Sequence, residues 1–137
     1  MYKTRIYRGI VPDCMTVRQT VFVEEQGFEN EFDETDESCI HIVVYDGDAP
    51  VGTGRVFREA DGWYIGRVAV MKDHRKKDLG SMIVLGLEKA AKEQGAEKIL
   101  LWAQCRAYGF YEKLGYTSAG KYHDDEGCPL VLMEKKI

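Results

Sequence analysis

The stretch from Gly66 to Glu97 constrains this chain most: an apolar run, a basic loop, then a helical repeat. Val68-Ala69-Val70 reads as the end of a buried strand. Lys72, His74, Arg75, Lys76 and Lys77 make the following loop basic. Leu79, Met82, Ile83, Gly86, Leu87, Ala90 and Ala91 then recur at helical spacing, and Gly95 sits where such a helix ends. Strand, loop and helix in this order present free main-chain N–H groups and a positive dipole end to an anion. Gly80, in the first helical turn, lets a ligand approach the backbone closely, because it has no Cβ. A plain crossover with a solvated basic loop fits this stretch equally well.

Elements on either side define the architecture. A first strand is expected over residues 3–9. Pro12-Asp13 opens a helix with Asp13 as its cap, and Cys14, Val17, Val21 and Phe22 form its apolar face. On that helix Arg18 and Glu25 fall seven residues apart, hence on one face. Residues 27–38 are acidic without a sustained period. They read as a solvated loop, or as a flap over a cationic acceptor anchored by Phe28 and Phe32. Three β-rich runs follow, Cys39–Tyr45, Val51–Phe57 and Trp63–Val70, joined by turn signals at Asp46-Gly47 and Asp61-Gly62. After the central helix, Lys98–Ala103 is almost wholly apolar and reads as a strand buried on both faces. It should lie parallel to Trp63–Val70 through a right-handed crossover. Ala107, Phe110, Tyr111 and Leu114 mark a last short helix, and strands over Tyr116–Tyr122 and Leu130–Lys135 close the chain.

Three blocks carry a resemblance. Val68-Ala69-Val70 followed by Arg75-Lys76-Lys77-Asp78-Leu79-Gly80 resembles the acyl-CoA loop of the GNAT N-acetyltransferase superfamily, written Q/R-x-x-G-x-G/A. Ala107-Tyr108-Gly109-Phe110-Tyr111-Glu112-Lys113-Leu114-Gly115-Tyr116 resembles that superfamily's A-x-x-F-Y-x-K-x-G-F/Y segment. Val21-Phe22-Val23-Glu24-Glu25-Gln26, with Asp33 and His41-Ile42-Val43-Val44 beyond it, is similar to the ElaA/YjcF-like branch. Two positions depart from the patterns. Asp78 stands at the loop's first Gly, where a carboxylate caps the helix or repels a phosphate. Leu130 stands at the His of the branch's G-x-P-H.

The resemblance implies a single GNAT-like domain over residues 1–137, in the α/β class. It has a mixed, mostly antiparallel twisted sheet of six to seven strands, about four helices and a splayed parallel central pair. It implies an N-acyltransferase using acetyl-CoA as acyl donor, with a small-molecule amine or a peptide as acceptor. Cofactor contacts are expected from Val68, Ala69, Val70, Arg75, Lys76, Lys77, Asp78, Leu79, Gly80, Ser81, Gln104, Phe110 and Tyr111. Tyr111 is the expected acid for the leaving thiolate. Glu25 is the first-ranked base, since Tyr64, Gly66 and Arg67 before the Val68 run offer no carboxylate or imidazole. The main chain at Val68 would stabilise the thioester oxygen. Arg18, Glu25, Gln26, His41 and Arg67 are the expected acceptor contacts. A polyamine, an amino sugar, an amino acid or a protein lysine would each serve as acceptor.

Composition bounds the alternatives. A chain of 137 residues, 45% hydrophobic and 31% charged, suits one soluble domain. A net charge of −4 argues against a nucleic-acid surface and makes the basic loop a local feature. Cys14, Cys39, Cys105 and Cys128 have no metal-site spacing, so no metal is expected, and a reducing cytoplasm is the simpler setting. The N-terminus is polar and no apolar run nears the ~18 residues of a membrane span, so neither export nor a membrane partner is expected. An exposed sheet edge near the C-terminus would let a homodimer form. Two other classes compete: a non-catalytic acyl-CoA-binding or sensing module, and a protein-interaction domain using the acidic 29–37 loop. A P-loop is excluded, because G-x-x-x-x-G-K-[ST] does not occur.

Overall fold

The computed structural model describes residues 2–29 and 33–137. Phe32, one of the two expected anchors of the acidic segment, lies outside them. In chain order the elements are β1 (Tyr2–Arg8), α1 (Pro12–Arg18), a π-helical segment (Gln19–Glu25), a 3-10 turn (Glu34–Glu37), β2 (Ile40–Asp46), β3 (Ala49–Glu59), β4 (Gly62–Val70), α2 (Leu79–Glu93), β5 (Lys98–Gln104), α3 (Tyr108–Lys113), β6 (Thr117–Asp125) and β7 (Cys128–Lys136). The strands form one seven-stranded sheet in the order β1-β2-β3-β4-β5-β7-β6. Every neighbouring pair is antiparallel except β4 and β5, which run parallel around the α2 crossover. This is the mixed, mostly antiparallel sheet that the sequence implies. Among the described residues no helix is long and apolar enough to cross a membrane.

The sheet is covered on both faces. Leu79, Ile83, Val84, Leu87 and Ala91 of α2 bury against Ile42, Val44, Val56, Ile65, Ile99 and Leu101. The helix comes close because β3 carries Gly54, where a Cβ would lie 2.7 Å from Ile83 and 2.9 Å from Leu87. On the opposite face Val17, Val21 and Phe22 pack on Ala69, and Cys14 packs on Val43 and Tyr45.

Two local features open the centre of the sheet. The β4–β5 pairing covers only Trp63–Ile65 against Ile99–Leu101, and the strands part beyond it. On the other side of β4 the register with β3 shifts between Thr53 and Arg55, and Arg67 takes φ 52° in the bulge. Met71 N–H donates to Val51 O at 2.8 Å, so by strand alternation the main-chain groups of Val70 and Val68 point away from β3 into the gap.

Several expectations require correction. The single helix expected after Pro12 divides at Gln19, where wider π-helical turns begin. Periodicity alone does not reveal that change, since the apolar residues remain inward. Asp13 is not a cap: the cap position is Val11, without a side-chain bond, and Asp13 instead accepts the Tyr45 hydroxyl at 2.6 Å. Asp78 makes no capping bond either. It holds φ 60° at the start of α2, a left-handed conformation that glycine adopts freely and aspartate tolerates. That conformation explains why a glycine suits this loop position.

Candidate functional site

Two cavities meet at the parting of β4 and β5. The larger, about 770 Å³, runs along Val68, Ala69 and Val70 and is bounded by Glu25, Arg75, Gln104, Arg106 and the turn Glu126–Pro129. The smaller, about 510 Å³, lies on the α1 face and includes Arg55, Phe57, Tyr64, Gly66, Arg67, Trp102 and Tyr111. Gln26, Phe28, Val68 and Gln104 line both. The two cavities therefore adjoin where the parallel pair splays.

Tyr111 enters it from α3. Its ring stands edge-on to Phe110 at 4.9 Å and to Tyr116 at 5.9 Å. Its hydroxyl has no hydrogen-bond partner among the described residues, and burial pushes its pKa up to about 12. The group is thus protonated at neutral pH and remains a donor. Phe110 covers the first turn of α2: a Cβ on Gly80 would lie 2.9 Å from its ring. The close approach expected there for a ligand is instead taken by the Phe110 ring, which corrects the reading of Gly80. Lys76, Lys77 and Asp78 are exposed on the loop before α2, and Ser81 is half-buried in its first turn. Leu79 is turned into the core. The first amides of α2 have no acceptor within the helix, as at any helix start.

Gln104 ends β5 between the cavities. Its amide donates to Gln26 Oε1 at 2.9 Å and its oxygen accepts Arg106 Nε at 2.8 Å. Gln26 itself is oriented by the π-helical segment, where its N–H reaches Val21 O at 3.1 Å.

Glu25 and Arg75 occupy each other. Both terminal guanidinium nitrogens of Arg75 donate to the Glu25 carboxylate at 2.7 Å, and Arg75 Nε donates to Val70 O at 2.9 Å. The hydrogen bonds and charge of Arg75 hold the Glu25 carboxyl below its ordinary range. Glu25 lines the cavity along Val68–Val70, not the one that contains Tyr111. A carboxylate held in its ionised form in this way is weakly basic and poorly suited to take a proton from an acceptor.

Arg18 and His41 were expected to touch an acceptor, and the structure corrects this. Both are 1% exposed and neither lines the cavities. Arg18 makes a two-pronged pair with Asp36 at 2.6 and 3.1 Å. Arg55 binds the same carboxylate at 2.8 Å and also holds Asp33. Burial raises the Asp36 pKa, but the hydrogen bonds from Arg18 and the Asp33 amide, with the charges of Arg18 and Arg55, outweigh it and hold the carboxyl at about 2. His41 Nε2 lies 2.9 Å from Asp36 O, and burial lowers its pKa. Donor atoms of Asp36, Cys39 and His41 fall within 4.8 Å of one another. The Asp36 oxygens are already engaged by guanidinium groups, which is the chemistry of an ion-pair knot.

The sequence reading missed Arg55 and Trp102. Arg55 is signalled by a charge inside the Val51–Phe57 run, between Gly54 and Val56, both buried. Lys98–Ala103 is not buried on both faces, because Trp102 is 39% exposed at the smaller cavity beside His123. Two leucines before it conceal the alternation.

A family model described as the acetyltransferase (GNAT) domain matches residues 10–137. The N-acetyltransferase YjcF of Bacillus subtilis, itself uncharacterized, is 44% identical over 127 residues, which cover 90% of each chain. ElaA of Escherichia coli has a crystal structure that superposes with a TM-score of 0.87 over 99% of this chain and 100% of its own, at 22% identity. An aminoglycoside 6'-N-acetyltransferase complexed with coenzyme A superposes with a TM-score of 0.78 over 98% of this chain and 96% of its own, at 19% identity.

Proposed function

Because this chain belongs to the GNAT acetyltransferase family, we propose that it moves the acetyl group of acetyl-CoA to a primary amine by direct attack. One observation carries this reading: the parallel strands separate after Ile65 and Leu101, and two cavities join in that gap beside Tyr111. The gap faces main-chain groups of Val68 and the N–H of Val70, whose carbonyl is taken by Arg75, and these suit the amides of a pantetheine arm laid along β4 as an added strand. The N-terminal amides of α2 and the loop Lys76–Ser81 suit the diphosphate. A structural neighbour with coenzyme A bound adds support for that donor.

In this reading the amine nitrogen attacks the thioester carbonyl from the smaller cavity. Main-chain N–H at Val68 stabilises the charge that grows on the carbonyl oxygen. As the C–S bond breaks, the Tyr111 hydroxyl gives its proton to the departing sulfur, and the proton lost by nitrogen restores Tyr111 through solvent. Gln104 and Gln26 keep the junction polar. Glu25 serves as the partner of Arg75. An amine that arrives uncharged needs no strong protein base.

The test is a free-thiol release assay with a panel of primary amines, run beside calorimetric titration with acetyl-CoA. Amine-dependent thiol release is expected. Acetyl-CoA binding without release for any amine would favour the sensing module instead, and absence of binding would remove both.

A further inference from the structure

Four residues border both cavities: Gln26, Phe28, Val68 and Gln104. In the transferase reading they surround the place where donor and acceptor meet, and two of them carry side-chain amides. The polarity of those amides is set from the rim. A guanidinium only donates, so the Gln104 atom that meets Arg106 Nε at 2.8 Å is its oxygen. The Gln104 nitrogen is thereby turned to Gln26, and the atom it meets at 2.9 Å is Gln26 Oε1. Arg106, Gln104 and Gln26 form one chain in which each group donates to the next. A cation at its head polarises the amides beyond it in the same sense.

The far end of the chain is the Gln26 amide nitrogen, which keeps both of its hydrogens. Gln26 is half-buried, and its Nε2 has no acceptor among the described residues, yet it is not sealed from solvent. The backbone beneath it is held as well. Gln26 N–H donates to Val21 O and Gly27 N–H to Val23 O, each at 3.1 Å, on the turns that close the π-helical segment. The side chain is therefore tied at its root and at its oxygen, and only its donor is left over.

We infer that Gln26 Nε2–H donates to the carbonyl oxygen of the acyl thioester, beside the main-chain N–H of Val68, and that Arg106 and Gln104 are the positioning residues that hold it in that sense. This rests on the transferase reading above. In that reading three reacting atoms reach the junction. The amine nitrogen must keep its lone pair on the carbonyl carbon, and the sulfur is the partner of Tyr111. The carbonyl oxygen only accepts, and it gains negative charge as the amine attacks, so a fixed donor fits it best.

The experiment compares Gln26→Leu and Gln26→Glu with the unaltered protein, at saturating acetyl-CoA and with the panel amine that the unaltered protein uses fastest. Both variants are expected to lose about 10²-fold or more in kcat, with the acetyl-CoA dissociation constant and the urea midpoint little changed. The near-isosteric Gln26→Glu should be the worse of the two, because a carboxylate only accepts and repels the growing charge. Were Gln26 merely filling space, it would be the milder. Arg106→Ala, which lets the Gln104 amide turn over, should lower kcat about fivefold. A readout that needs no amine is the infrared band of acetyl-CoA labelled at its carbonyl carbon. Binding should move that band to lower frequency, and Gln26→Leu should lose part of the shift. Unchanged kcat in the Gln26 variants, a loss confined to the KM of the amine, a milder effect of Gln26→Glu than of Gln26→Leu, or a carbonyl band indifferent to Gln26 would overturn this inference and leave the transferase reading standing. Unchanged kcat in Arg106→Ala would overturn the positioning chain. No thiol release by the unaltered protein with any amine would bring down both readings.

Discussion

Two arginine–carboxylate pairs flank this cleft, and they differ in everything except geometry. Arg18 and Asp36 meet at 2.6 Å with each side chain 1% exposed. Arg75 and Glu25 meet at 2.7 Å with side chains 36% and 38% exposed. The first pair lies under the sheet face that bears the smaller cavity, and Arg55 and His41 bind the same residue. Breaking it leaves a charge in the interior without a counterion. The second spans the rim of the larger cavity, where water competes for both partners. Equal distances therefore signify different work. The buried pair is shielded from solvent, and the rim pair is open to it.

The contrast is sharpest in stability. Asp36→Asn is expected to cost about 3–5 kcal/mol in urea unfolding, because Arg18 and Arg55 both lose their shared carboxylate. A loss below about 1 kcal/mol would erase the distinction between the pairs. Tyr111→Phe should do the reverse. It is expected to lower kcat about 10²–10⁴-fold with the acetyl-CoA dissociation constant and the urea midpoint nearly unchanged. Full activity in that variant would remove Tyr111 as the acid.

Acid unfolding separates the pairs more gently. Asp36 is held at about 2, below its ordinary 3.8, so its contribution is complete above that ordinary value and is lost as pH falls through it towards about 2. The loss amounts to about 2 kcal/mol between those limits and should be absent from the Asp36→Asn profile. The smallest effect belongs to the rim. Glu25→Gln is expected to change stability by less than about 1 kcal/mol. By freeing Arg75 it should tighten acetyl-CoA binding about two- to fivefold at low salt, and less at high salt. Weaker binding in calorimetry at both salt levels would show that Glu25 assists the donor rather than competing with it.

Much of the frame was legible in the residues. Turn signals at Asp46-Gly47 and Asp61-Gly62 give the β2–β3–β4 meander, and the helical repeat from Leu79 gives the crossover to β5. Tyr111 and Gln104 reach the site by following an apolar helix face and the end of an apolar strand. Arg18 and Glu25 were misplaced because a seven-residue spacing assumes 3.6 residues per turn, and the chain widens to π-helical turns between them. Arg18 consequently turns inward while Glu25 stays at the rim. Arg55 and Trp102 were missed because their roles depend on what crosses above them. A strand's own sequence does not say that an aspartate from residue 36 will descend on Arg55, or that β4 will leave Trp102 uncovered.

The most direct test is a crystal structure with acetyl-CoA bound. The account predicts the pantetheine arm in the gap beyond Ile65 and Leu101, bonded to main-chain groups of Val68 and Val70. It also predicts the diphosphate at Lys76–Ser81 and the Tyr111 hydroxyl within hydrogen-bond reach of the sulfur. A coenzyme seated elsewhere, or a gap closed by continued β4–β5 pairing, would contradict it.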